Sequence, residues 1–144
     1  MKREQLEAIL AVHRKWLRGE SDGERAVFRG ADLREVNLSG AYLTGADLAE
    51  ANLTGVCLRG VNLSWADLAR ADLTGADLTG ADLTGANLIR ADLIRADLTG
   101  ANLTGANLIR AHLKEASLSG ADLTGAYVTK AYLRGANLSG ADLK

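Results

Sequence analysis

The five-residue word ADLTG stands three times in succession at residues 71–85, and the register it sets runs unbroken from Ala26 to Lys144. A step of five advances about 500° around an α-helix, so the third-position leucines would spiral over every face. On a strand they would alternate between faces, because five is odd. Neither element offers these leucines a common interior. The chain is therefore expected to turn after each word, with every third-position side chain pointing towards one axis.

The other positions fit that reading. Of 24 blocks, the last one short, the first position is Ala in all but Val36, Val56 and Val61, and the third is Leu in all but Phe28 and Val128. Both are expected inside. The second position is Asp or Asn in 17 of the 24, and the fifth is often Gly. Gly accepts the positive φ of a tight turn, and Asp or Asn hydrogen-bonds nearby backbone, so these belong outside and at corners. An all-β solenoid follows, its coils stacked at a strand-like spacing of about 4.8 Å. The number of sides stays open. The non-glycine fifth residues (Glu35, Glu50, Trp65, Arg70, Arg90, Arg95, Arg110, Glu115 and Lys130) cluster into columns with either three or four blocks per coil. Four blocks leave one corner wholly glycine, from Gly40 to Gly140.

The A(D/N)LXX word resembles that of the pentapeptide-repeat family, and the likeness covers residues 26–144. It implies a right-handed quadrilateral β-helix with four blocks per coil, hence about six coils and a rod of roughly 25–30 Å. The family is widespread in bacteria, and most members have no known activity.

Residues 1–25 lie outside the repeat. Leu6, Ile9, Leu10, His13, Trp16 and Leu17 recur at helical spacing, with most charges elsewhere around the turn and Gly19 as a stop. Because the first layer of a solenoid needs a cover, this segment is expected to be an amphipathic capping helix over Phe28 and Leu33. Two domains result: 1–25, the helix and a polar turn, and 26–144, the repeat. No equivalent cap is visible at the other end, so end-to-end pairing of two copies through the last coil, around Leu138 and Leu143, is an expectation.

Net charge is −1, which argues against a general nucleic-acid binder. The longest apolar run falls short of the roughly 18 residues of a membrane span, and the single Cys57 leaves no internal disulfide. A soluble cytoplasmic protein is expected. Catalysis is not. The many Asp residues sit at a repeating structural position, His13 and His112 lie in different segments, and no spacing suits a metal or a phosphate loop. No enzyme activity, cofactor or metal is expected.

A binding surface is. Stacked by twenty, Arg70, Arg90, Arg110 and Lys130 form one corner column, with Ile89 and Ile109 beside it and Ile94 and Arg95 on the next side. Isoleucines where the word normally carries Thr or Ser, set among cations, mark a candidate protein-interaction patch. The expected function is a non-catalytic rod-like scaffold or protein-interaction module with an unidentified protein partner. The family resemblance suggests an alternative, a DNA-mimicking modulator of DNA gyrase. Against it, the repeat region carries 11 basic and 13 acidic residues, a net of only −2.

Overall fold

Parallel bridges join residues twenty apart along the whole repeat, from Val27–Asp47 to Asp122–Asp142, in the computed structural model, which describes residues 1–144. Twenty residues are four words, so each layer has four sides, and three blocks per coil are excluded. The first side holds the blocks that begin at residues 26, 46, 66 and so on. The second, third and fourth follow at intervals of five.

No side is a regular strand. Each carries a single bridged residue at the second position, with turns on either hand. Four of every five residues are needed to enter and leave a corner, so little remains to extend. The corners are type II turns. The third-position carbonyl accepts from the N–H three residues on, as in Ala76 N–H to Leu73 O at 3.0 Å. The fifth residue takes positive φ, which that turn type demands. Layers are tied by the rest of the backbone: Leu73 N–H donates to Asp92 O at 2.7 Å, Asp92 N–H to Ala71 O at 2.9 Å, and Gly75 N–H to Ile94 O at 2.9 Å. Only 11 of 99 backbone hydrogen bonds belong to the helix, so the fold is held chiefly by turns and by this axial ladder.

Inside, the third-position leucines and first-position alanines form one continuous core; between Ala46 and Ala121 almost all have less than 2% of their surface exposed, and at the two ends several alanines and leucines are only half-buried. Its cover thins at the last layer: Val128 is 42% exposed, Leu133 36% and Leu143 63%. Outside, the second-position Asp and Asn carboxyl and amide oxygens accept from the N–H two residues on, as Asp72 Oδ1 does from Thr74 N–H at 2.9 Å. The Asp repeat is thus a turn device, repeated side by side and not converging on any point.

One corner departs from the pattern. Glu35 lacks the positive φ found at every other fifth position, and the bridge expected between Asn37 and Cys57 is absent. This corner lies where the N-terminal helix crosses the first layer, in a cleft shared by Leu6, Leu10 and Val36.

Helix α1 spans Arg3–Leu17. Leu6 and His13 are buried and Ile9 and Leu10 half-buried against the core, over a fully buried Phe28 and Leu33. Trp16 and Leu17, expected in the cap, are 39% and 38% exposed. The helix overhangs the square end here, so only the edge of the Trp16 ring reaches the tube, resting near the Gly45 corner.

His13 is the polar pin of the cap. Its Nδ1 accepts from Ala26 N–H at 3.0 Å, the first residue of the repeat, and its ring stacks on Trp16 with centroids 5.3 Å apart. Nε2 is buried without a hydrogen-bond partner. Burial holds the imidazole below the ordinary histidine range; the Thr44 backbone carbonyl partly offsets this, and the Arg25 cation adds to it. A depressed folded-state value means the unfolded chain binds the proton first. Stability is therefore full above about pH 6.5 and falls as pH drops through the folded value. Urea midpoints compared at neutral pH and below pH 6 should show this loss in the wild type and not in His13→Gln. An equal acid response in both would remove His13 from the account.

Candidate functional site

The first side gathers most of the basic column into a groove. Fourth-position residues Ala49, Ala69, Ile89 and Ile109 succeed one another layer by layer, and the corner residues Glu50, Arg70, Arg90 and Arg110 rise beside them. With Arg29 at the head of the fourth-position column and Asp67 at a second position of the same side, they line a shallow, open volume of about 500 Å³. Ile89 and Ile109 are half-buried and their arginine neighbours exposed, so an apolar strip lies between charged walls.

Charge is distributed unevenly along it. At the N-terminal end Arg29 pairs with Asp47 at 3.1 Å and Asp67 at 3.7 Å, and Arg70 approaches Glu50 at 3.8 Å. At the other end Arg90, Arg110 and Lys130 form no ion pair. Lys130 continues the column one layer beyond the groove. Ile94 and Arg95 stand around the corner on the second side, where Arg95 is engaged by Glu115 at 3.0 Å, so the structure does not bring them into the groove.

The backbone under the column is strained. Glu50, Arg70, Arg90, Arg110 and Lys130 hold φ between 57° and 61°. For a residue with a Cβ this left-handed region costs on the order of 1–2 kcal/mol, which glycine avoids. The corner two sides away is glycine throughout, from Gly40 to Gly140. The stack imposes this φ at the corner, so non-glycine residues at five successive layers carry a cost that glycine there would avoid.

The sequence pattern marks Glu50 only as a non-glycine corner residue and does not place Glu50, Asp67 or Arg29 in the patch. The stacking register of twenty would have found them, because it places Arg29 over the layers of Asp47 and Asp67. Trp65, a non-glycine corner residue of the fourth side, is a further exposed aromatic outside the patch. It is 69% exposed at φ 59°, and its ring lies flat over the neighbouring layer's Gly85, where an added Cβ would sit 2.5 Å from ring carbons. Elsewhere His112 meets Tyr132 edge-on with centroids 4.8 Å apart, and Ser39 Oγ donates to Cys57 Sγ at 3.1 Å. No group of three His, Cys, Asp or Glu side chains is arranged to hold a metal, and no helix is long and apolar enough to cross a membrane.

The family model for pentapeptide repeats matches residues 26–64, 62–100, 91–129 and 106–144. The chain is a pentapeptide-repeat protein. Among solved structures it is similar to a trypsin-treated form of QnrB1, a plasmid-mediated fluoroquinolone resistance protein. That match has 23% identity and a TM-score of 0.60, over 82% of this chain and 68% of the other. It is also similar to Rfr23, a pentapeptide repeat protein from the cyanobacterium Cyanothece 51142. Identity there is 36%, over 72% of this chain and 65% of that one, with a TM-score of 0.34. A third, from the Arabidopsis thaliana thylakoid lumen, is 34% identical over 72% of this chain and 66% of its own, with a TM-score of 0.37. No curated protein matches significantly. The QnrB1 likeness is one of fold, the right-handed quadrilateral β-helix that pentapeptide-repeat proteins form.

Proposed function

We propose that this pentapeptide-repeat protein is a non-catalytic interaction module, a rigid rod of about six coils that docks a protein partner on its first side. The observation that carries this reading is the column Arg90, Arg110 and Lys130: exposed, unpaired, strained in the backbone and set beside half-exposed isoleucines. A solenoid presents such a column on a stiff frame, so a partner loses little by ordering it. Pentapeptide-repeat proteins are generally structural or interaction modules, which supports the same reading.

A gyrase-directed role rests on fold likeness to QnrB1 alone. The near-neutral rod and its basic groove speak against DNA mimicry, which needs a run of negative charge.

The test exploits the strain. Replacing Arg90 and Arg110 by glycine should raise stability by about 0.5–1 kcal/mol at each position, because the turn relaxes. The same variant should lose partner capture from the source organism's lysate, as should Ile89→Asp with Ile109→Asp. A variant that is more stable and still captures the same partner would remove the groove as the docking site.

A further inference from the structure

We infer that the groove's partner segment is a short acidic amphipathic α-helix lying along the rod axis; this rests on the docking reading above. Four features of the groove select that occupant.

The first is charge. Arg90, Arg110 and Lys130 present one uncommitted cation per layer, so the occupant carries a matching row of carboxylates. The row is short. Asp47, Asp67 and Glu50 stand at the other end of the same side, and a long polyanion laid along the rod would run onto them. Duplex DNA, with a charge about every 1.7 Å and no interruption, is disfavoured for that reason.

The second is repeat distance. With layers about 4.8 Å apart, the two intervals from Arg90 to Lys130 span roughly 10 Å. Two helical turns rise about 11 Å, a misfit of some 1 Å that arginine and lysine arms absorb. Same-face residues of an extended strand recur every 6.6–6.8 Å or so, about 13 Å over two intervals, and fall out of step.

The third is backbone hydrogen bonding. An extended peptide gains affinity by adding main-chain bonds to a free sheet edge. The groove offers none: Arg70 N–H is committed to Ile89 O and Arg90 N–H to Ile109 O, each at 3.0 Å. A helix satisfies its own backbone and needs no edge.

The fourth is the apolar strip. Ile89 and Ile109 sit one residue before the cations, on adjacent layers, so the groove reads two parallel stripes, one apolar and one anionic. Residues three and four apart on a helix supply that pair of stripes.

The test is selection of a displayed library of random peptides of about 16 residues, a little over four helical turns, on the full-length protein. Counter-selection uses Arg90→Glu with Arg110→Glu. The expected winners repeat Asp or Glu at a period near 3.6 beside Leu, Met or aromatic residues. The synthetic winner should become helical on binding, as circular dichroism reads. It should bind the charge-reversed variant at least about tenfold more weakly and lose affinity in about 0.5 M salt. The stable Arg90→Gly, Arg110→Gly variant should bind weakly too, which separates lost contact from lost fold.

Winners with acidic residues at period two, winners without acidic residues, or no winners at all would each overturn the helix. So would tighter binding of a short DNA duplex than of any peptide. If these results came while lysate capture still depended on the groove, the docking surface would stand and only its occupant would be wrong. If capture were groove-independent as well, both would fall.

Discussion

Leu78→Ala is expected to cost about 3–4 kcal/mol, near the middle of the range for emptying a leucine site in a packed core. Leu78 has none of its surface exposed and belongs to the unbroken ladder of third-position side chains. The layers above and below are held at fixed spacing by backbone hydrogen bonds such as Leu78 N–H to Asp97 O at 2.7 Å, so they cannot close on the cavity. Leu133→Ala makes the same chemical change where the side chain is already 36% exposed, and should cost under about 1 kcal/mol. Urea denaturation followed by circular dichroism reads both. Equal losses at the two sites would mean that the ladder is not one continuous core.

The second large effect is at Gly23→Ala. A Cβ there would meet Trp16 N at 2.2 Å and Lys15 C at 2.5 Å, and both are helix backbone that cannot rotate aside. Residues 20–24 fold back against the end of α1: Gly23 N–H donates to Glu20 O at 3.0 Å and Glu24 N–H to Val12 O at 3.3 Å. The substitution should shift this turn, loosen the cap and cost about 2–3 kcal/mol, as overpacking does. Gly19→Ala is the control. Its φ is +71° but the space around it is empty, so only the conformational cost of about 1 kcal/mol applies. Hydrogen exchange at the amides of α1, with Trp16 emission as a second probe, measures the difference. A Gly23→Ala protein whose helix exchanges as slowly as the wild type would refute the close approach.

Those two glycines mark the boundary of what was legible. Gly19 could be read as a helix stop from its place after an amphipathic run. Gly23 looked like any residue of a polar turn, because the atom it avoids belongs to the helix it folds back on. The groove divides in the same way. The column from Arg70 to Lys130 follows from the spacing once the period is twenty. That Arg95 is tied to Glu115 while Arg90 is free depends on which side chains meet across layers. Ile94 stands around the corner from Ile89, on the next side, where the register of twenty places it.

The five-residue word by itself determined the interior. A Leu at every fifth residue can be buried only if the chain turns after each word, and small Ala beside it leaves room for the tube to close. The same word placed Asp and Asn outside as turn acceptors. The local pattern of the word fits three or four words per layer equally; the family resemblance implies four, and the axial pairing at twenty in the tertiary structure decides it. The tertiary structure alone showed that eight non-glycine residues hold positive φ. A corner's φ is imposed by the layers it links, whatever residue stands there, so the resulting strain is a property of the stack and not of the word.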